Sequence, residues 1–188
     1  MSTILVLYGT TDGHTAKVAQ AVASAFRRAG LEVDLANARE TPLSASPESY
    51  DAVVVLGSVH ISNYQHAVKR WVRRHAAALN RMPTAFISVC LGILEDSPKS
   101  QREVREIMSR FLNRSGWTPR RTSIVAGALP YTRYGWLKKV AMRRIAARVS
   151  MDTDTTRDYE YTDWADVARF ALAFAVEQGL APLPAPTR

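Results

Sequence analysis

The sequence predicts an α/β protein with a doubly wound parallel sheet of five strands and helices on both faces. Short apolar runs alternate along the chain with longer amphipathic stretches, and this alternation requires crossover helices that pack back onto the sheet. The first apolar run, residues 4–8, shows no alternation of polar and apolar residues, which is typical of a strand that is covered on both sides. The composition supports a core of this kind, because 47% of the 188 residues are hydrophobic.

The first predicted unit is a strand, a loop and a helix. Residues 4–8 form an unbroken apolar run. From Thr15 onward, apolar residues recur at helical spacing as far as Phe26, and Gly30 follows two arginines and an alanine as a stop signal. Residues 32–36 are predicted as the second strand.

Three more predicted strands alternate with two more helices, and a last helix follows. Pro83 separates the helix before it from the fourth strand. Thr162 is predicted as the N-cap of the last helix, because hydroxyl side chains are favoured at that position. The strands are predicted over residues 51–57, 84–91 and 122–128, and the helices over residues 64–80, 100–113 and 163–178.

A long segment, residues 129–161, separates the fifth predicted strand from the last helix. Compact domains usually make such a connection with a few residues. The chain shows no internal repeat and no segment whose composition suggests a second domain. We therefore interpret this segment as an insertion in a single domain that spans residues 1–179. Residues 180–188 contain three prolines and are predicted to form a disordered tail.

The composition also excludes several classes of protein. Cys90 is the only cysteine, so an intramolecular disulfide and a cysteine-rich zinc site are excluded. No export signal and no run of about 18 apolar residues is present. These features favour a cytoplasmic protein that contacts the inner face of the cell membrane peripherally if at all. No metal site is predicted.

The formal net charge is +8, and residues 130–150 contain six lysines and arginines and no acidic residue. A patch of this kind attracts anions in general, whether nucleic acid, lipid headgroups or a carboxylate-bearing substrate. No nucleic-acid-binding motif accompanies it, so nucleic acid is not an expected partner. Assembly into a homo-oligomer is left open.

The loop after the first strand has the chemistry of an anion site. Hydroxyl side chains and glycine run directly into a helix N-terminus, where free backbone N–H groups and the positive helix end attract phosphate. The loop contains neither G-x-G-x-x-G nor a Walker lysine. The alternative interpretation is an ordinary capped turn. The loop consists of Thr10, Thr11, Asp12, Gly13, His14 and Thr15.

This strand and loop resemble the flavodoxin signature, which matches Val6, Leu7, Tyr8, Thr10, Gly13, Thr15 and Ala19. The resemblance implies a flavodoxin-like fold and a non-covalent FMN whose 5′-phosphate lies in the 10–15 loop. Ligands of such folds lie outside the carboxyl ends of the strands, so the flavin ring is expected at the loops after strands three and four. The expected residues are Ser58, Val59, His60, Ile61, Ser88, Val89, Cys90, Leu91 and Gly92.

Two of these residues have alternative interpretations. His60 either lines its loop in contact with solvent or provides a hydrogen bond or proton relay beside the flavin. Cys90 is either a small buried residue at a strand end or a redox-active thiol. No residue is assigned as a catalytic base.

Nearly the whole chain resembles the menaquinone-dependent protoporphyrinogen dehydrogenases, which are flavodoxin-like enzymes. The resemblance implies oxidation of protoporphyrinogen IX to protoporphyrin IX in heme biosynthesis, with FMN as cofactor and a quinone as electron acceptor. The chain departs from the family pattern at residues 60–62 and 92–99, where substrate would meet the flavin. The residues that match are 82–86, 88–89, 125–129, 131, 133–134, 136, 152–155 and 161–164.

The role of the insertion has three open interpretations: access for substrate or quinone, docking to a membrane or redox partner, and a structural role. Aromatic and basic side chains suit a flat apolar ring that carries propionates. A helix is predicted over residues 136–149. The rival function is that of an electron-transfer flavodoxin or a general quinone reductase. The candidate substrate or acceptor residues are Tyr131, Arg133, Tyr134, Trp136, Arg143 and Arg144.

Overall fold

A computed structural model describes residues 2–42, 45–95, 97–133 and 153–182. Five parallel strands form one sheet in the order β2-β1-β3-β4-β5, which confirms the predicted fold class. Each crossover between neighbouring strands contains a helix or a long connection, as parallel pairing requires. The strands are Thr3–Gly9 (β1), Glu32–Asn37 (β2), Ala52–Ser58 (β3), Thr84–Val89 (β4) and Arg121–Val125 (β5).

Two layers of helices cover the sheet. Alternate residues of a strand point to opposite faces, so Ile4 and Val6 pack on one side while Leu5 and Leu7 pack on the other. The first side is covered by His14–Arg28 (α1) and Trp164–Glu177 (α4), and the second side by His66–Leu79 (α2) and Pro98–Ser115 (α3). Within the described ranges, no helix is long and apolar enough to cross a bilayer.

The ends of two strands differ from the prediction. β4 stops at Val89 because a turn of 3-10 helix over Leu91–Leu94 follows it. β5 stops at Val125, where its pairing with β4 ends in the register Val89 with Val125. Of the residues beyond Val125 that were predicted to continue the strand, Ala126 and Gly127 lie outside any strand and Ala128 begins a separate two-stranded ribbon.

That ribbon closes the base of the insertion. Ala128–Leu129 (β6) pairs antiparallel with Tyr159–Glu160 (β7). Tyr131 is fully buried beside Leu129, and its ring lies edge-on to that of Tyr159 with the centroids 6.2 Å apart. The two ends of the insertion are therefore held together next to the sheet. The predicted helix over residues 136–149 lies outside the described residues.

The predicted N-cap of the last helix is wrong by one residue. Asp163 caps α4, and its side chain accepts a hydrogen bond from the backbone N–H of Asp166 at 2.9 Å. Thr162 instead donates its hydroxyl proton to the carbonyl oxygen of Ala126 at 2.7 Å. After the helix, Leu180 packs against the core, so the described part of the chain beyond residue 179 remains in contact with the domain.

Candidate cofactor site

A cavity of about 590 Å³ lies at the carboxyl edge of the sheet. Its walls are largely apolar, with the polar loop after β1 at one end. Three further loops, after β3, β4 and β5, complete the wall. The lining residues are Thr10, Asp12, His14, Thr15, Ser58, Val59, His60, Ile61, Val89, Cys90, Leu91, Gly92, Gly127 and Ala128.

The loop after β1 leaves the start of α1 open to an anion. Gly13 occupies the N-cap position with φ 90°, and no side-chain hydrogen bond caps the helix there. The Gly13 N–H donates to the Thr10 hydroxyl at 2.9 Å, which fixes the bend of the loop. The first turn of α1 contains no acidic residue, so the positive end of the helix is not neutralised by its own side chains.

His14 joins this loop to the end of the insertion. Its Nε2 lies 2.7 Å from the Thr162 hydroxyl oxygen, and that hydroxyl already donates its proton to the carbonyl oxygen of Ala126. The hydroxyl has one proton, so Nε2 of His14 must donate and carries the hydrogen. His14 is buried, and burial lowers its pKa from the ordinary value of 6.5, although the nearby Glu160 carboxylate raises it.

Glu160 adds an ionic connection between the ribbon and α1. Its carboxylate accepts a hydrogen bond from Lys17 Nζ at 2.9 Å and lies 3.5 Å from Nδ1 of His14. The hydrogen bond from Lys17 lowers the pKa of Glu160, so Glu160 is ionised at neutral pH. The loop after β1 and the insertion are therefore attached to each other.

The loop after β3 is a tight turn, which we call the 60–63 turn. The His60 N–H donates to the carbonyl oxygen of Asn63 at 2.8 Å, and the Asn63 N–H donates back to His60 at 3.0 Å. The two central residues, Ile61 and Ser62, have φ of 47° and 56°. Left-handed backbone is rare for a β-branched residue, and the Ile61 side chain is fully exposed.

Cys90 lies in the wall formed by the loop after β4. Burial raises the pKa of its thiol, while hydrogen bonds from the backbone of Gly92 and Ile93 act in the opposite direction. The thiol is therefore protonated at neutral pH and is a poor nucleophile. Its environment favours the interpretation of Cys90 as a small wall residue.

Ser88 lies beneath this wall and not in it. It is fully buried, and its hydroxyl lies 2.7 Å from that of Tyr64. Burial raises the pKa of Tyr64, so the phenol remains a hydroxyl. The Ser88 side chain is engaged in this buried pair, which leaves the contact with the cofactor cavity to residues 89–92.

Most of the predicted cofactor residues line the one cavity; Thr11, Gly13 and Ser88 do not. Gly127 and Ala128 line it but were not predicted as site residues, because the prediction ended β5 at residue 128. Tyr131 is buried and packs with Leu91 in the ribbon cluster. Arg133 ends the described segment, and Tyr134, Trp136, Arg143 and Arg144 lie outside the described residues.

Gln65 was also missed. Its side-chain nitrogen donates to the Thr11 hydroxyl at 3.1 Å, and its side-chain oxygen accepts from the Ser58 backbone N–H at 3.2 Å. One amide thus connects the loop after β1 to the end of β3. A lone glutamine before a helix gives no sequence signal of this role.

The fold and the cavity together define a flavodoxin-like protein. Residues 5–156 match the family described as Flavodoxin domain. A flavodoxin from the domain Archaea superposes with a TM-score of 0.55 at 13% identity, over 94% of this chain and 99% of that one. Flavodoxin 1 from Bacillus cereus superposes with a TM-score of 0.58 at 13% identity, over 93% and 98%. These similarities establish the fold.

Curated relatives narrow the class. The protoporphyrinogen IX dehydrogenase [quinone] of Escherichia coli K12 is 36% identical over 91% of this chain and 93% of that protein. The Leishmania major protein of the same name is 32% identical over 98% of this chain and 78% of that protein. The chain therefore belongs to the flavodoxin family and, within it, to the protoporphyrinogen IX dehydrogenase [quinone] family. This confirms the predicted family and FMN cofactor.

Proposed function

We propose that this chain is an FMN-dependent dehydrogenase that oxidises protoporphyrinogen IX to protoporphyrin IX and passes the electrons to a quinone, in heme biosynthesis. Menaquinone is the proposed physiological acceptor. The observation that carries the proposal is the cavity at the carboxyl edge of the sheet, with an uncapped helix start at one end and largely apolar loops at the other. The names of the curated relatives support the same reaction.

The residues at this cavity fit FMN. The 5′-phosphate suits the polar end, where Thr10 and Thr15 supply hydroxyls beside the open N–H groups of α1. The isoalloxazine ring suits the apolar end, between Val59 of one loop and Leu91 of the next. We propose these residues, with the other lining residues except the fully exposed Ile61 at the outer rim, as the cofactor site.

FMN, when bound, supplies the redox chemistry by accepting hydrogen equivalents and passing electrons on. The chain contributes binding and shape. The positive end of α1 offsets the phosphate charge, and the apolar walls keep water from the ring face. The Cys90 thiol is protonated and does not compete for electrons as a thiolate. The insertion, attached through the ribbon beside Leu91 and Gly127, is proposed to admit the tetrapyrrole or the quinone.

Because a long-chain quinone resides in a bilayer, we propose that the protein associates peripherally with the inner face of the cell membrane. The proposed small-molecule partners are thus a tetrapyrrole and a membrane quinone.

The decisive experiment is anaerobic reduction of the purified flavoprotein. Protoporphyrinogen IX should bleach the flavin absorbance, and a quinone added afterwards should restore it. Rapid bleaching by NAD(P)H with none by protoporphyrinogen IX would instead identify a general quinone reductase. Bleaching by neither donor would indicate an electron carrier that is reduced by a protein.

Thr15→Ala should weaken FMN binding by about 1 to 3 kcal/mol, the usual loss for a hydrogen bond to a charged group. Thr15 is buried at the wall of the cavity. The matched control is Thr11→Ala, because Thr11 is in the same loop, exposed and outside the cavity. The measurement is quenching of FMN fluorescence on reconstitution of the flavin-free protein. Equal losses in both variants would contradict the assignment of Thr15.

A further inference from the structure

A second cleft lies between α2 and α3, on the face opposite α1 and α4. It has a volume of about 270 Å³, and its floor includes Tyr64, Ile107 and Phe111. Five cationic side chains line it, and none of the described residues that line it is acidic. We call this the basic cleft; its cations are Lys69, Arg70, Arg73, Arg110 and Arg114.

The charges of the basic cleft are not neutralised by neighbouring side chains. Among the described residues, none of its five cations forms an ion pair, and Lys69 Nζ donates to the side-chain oxygen of Asn63 at 3.0 Å. α2 contains four lysines and arginines and no acidic residue. The cleft therefore presents a positive surface to an anionic partner.

The 60–63 turn places an apolar side chain at the edge of this surface. Ile61 is fully exposed, in a left-handed conformation that disfavours a β-branched residue. A turn of this kind requires left-handed backbone at both central residues but favours asparagine or glycine there, so the turn does not account for the isoleucine. An exposed isoleucine beside cations suits an interface that is both apolar and anionic.

The turn also connects the two cavities. Ser62 and Asn63 line the basic cleft, whereas His60 and Ile61 line the cofactor cavity. A partner bound over the cleft and the turn would thus lie at the apolar end of the cofactor cavity. An acceptor delivered by that partner would have a short path to the flavin.

We propose that the basic cleft and the 60–63 turn form the surface that docks on an anionic bilayer, with Ile61 inserted at the headgroup level. The inference rests on the proposed reduction of a quinone, which is dissolved in lipid. An acidic protein or a nucleic acid would match the charge, but neither accounts for a fully exposed aliphatic side chain at the tip. Basic residues around an apolar anchor are a recurrent means of peripheral membrane binding.

Vesicle binding of the FMN-loaded protein tests the surface. The wild type should bind phosphatidylcholine vesicles that contain phosphatidylglycerol, bind pure phosphatidylcholine vesicles weakly, and dissociate as salt is added. The double variant Arg73→Glu/Arg110→Glu should bind the anionic vesicles at least about 30-fold more weakly. The matched control is Arg102→Glu/Arg105→Glu, which makes the same charge change on α3 in a different groove and should retain most of the binding.

Ile61→Asn separates docking from folding. Asparagine tolerates left-handed backbone better than isoleucine, so the variant should unfold at the same temperature as the wild type or higher. Its vesicle binding should nevertheless fall about threefold or more, because an apolar anchor is lost. If Ile61→Asn lowers the thermal stability without weakening vesicle binding, Ile61 has a purely structural role and is not a membrane anchor.

Turnover distinguishes failure of the docking surface from failure of the function. With protoporphyrinogen IX as donor, Arg73→Glu/Arg110→Glu should reduce a water-soluble short-chain naphthoquinone at the wild-type rate and vesicle-embedded menaquinone more slowly. If the wild type reduces neither quinone, the proposed function fails. If it reduces both but binds anionic vesicles no better than neutral ones, or if both charge-reversal variants bind equally, the docking surface is refuted. The docking surface is also refuted if Arg73→Glu/Arg110→Glu binds anionic vesicles as the wild type does but loses binding to an acidic protein or an oligonucleotide.

Discussion

His14 shows how one side chain can connect the cofactor loop to the insertion. Its Nε2–H donates to Thr162, and Nδ1 faces the Glu160 carboxylate at 3.5 Å. Burial favours the neutral ring more strongly than Glu160 favours the charged one, so the pKa is lowered. Protonation of His14 therefore lowers the stability of the folded state.

The folded protein should lose stability in mild acid through His14. The pKa of His14 in the folded protein lies below the ordinary value of 6.5. The stability that neutral His14 contributes is therefore fully present above about pH 6.5 and decreases as the pH falls below it. His14→Gln, which retains an N–H donor, should show a smaller decrease in Tm between neutral pH and about pH 5. The flavin-free protein is used because His14 lines the cavity. His66→Gln, at an exposed histidine of α2, is the control and should follow the wild type.

At the scale of single elements, the end of α3 depends on one glycine. Gly116 has φ 68°, and a Cβ added to it would meet no atom within 4 Å. The next N–H, of Trp117, returns to the Leu112 carbonyl oxygen at 3.3 Å. This cap directs the buried Trp117 toward the sheet, where its ring N–H donates to the Thr84 hydroxyl at 3.1 Å.

Gly116→Ala should destabilise the fold by about 1 kcal/mol, because alanine resists left-handed backbone. The site has open space, so the loss is conformational and not steric. Gly116→Asn should lose less, since asparagine is the next best residue at this position. Chemical denaturation measures the difference. A variant Gly116→Ala that matched the wild type would show that the cap is not needed.

The elements whose boundaries are determined by local sequence could be predicted, whereas boundaries that depend on tertiary contacts could not. The alternation of short apolar runs with helical stretches is sufficient to predict five strands, because this alternation is a local property of the sequence. The end of β5 is determined by its partner strand, because β4 ends at Val89 and leaves no residue to pair beyond Val125. The sequence of residues 126–128 does not contain this information. Thr162 and Asp163 are equally good caps in sequence, and the contact of Thr162 with His14 decides between them. The role of Gln65 could not be predicted either, because it depends on contacts with Thr11 and Ser58 that form only in the folded chain.

At the scale of the whole molecule, the insertion is attached to both ends of the cofactor cavity. Glu160 holds it to Lys17 and His14 at the end that we assign to the phosphate. Tyr131 holds it to Leu91 in the wall that we assign to the ring. The ribbon and its tyrosines therefore belong to the folded domain.

Replacement of residues 134–152 by a short Gly/Ser linker should consequently leave a folded, FMN-loaded protein that no longer oxidises the tetrapyrrole at the wild-type rate. The ribbon, Tyr131 and Glu160 are retained, so the walls of the cavity keep their contacts, and the removed part holds the basic and aromatic residues that suit a propionate-bearing ring. Flavin content, Tm and anaerobic reduction by protoporphyrinogen IX are measured on the same preparation. As a control, Tyr131→Ala in the full-length chain should lower Tm by removing a buried aromatic side chain. Wild-type turnover in the linker variant would show that residues 134–152 are not needed for access, and loss of FMN would show that they hold the cofactor.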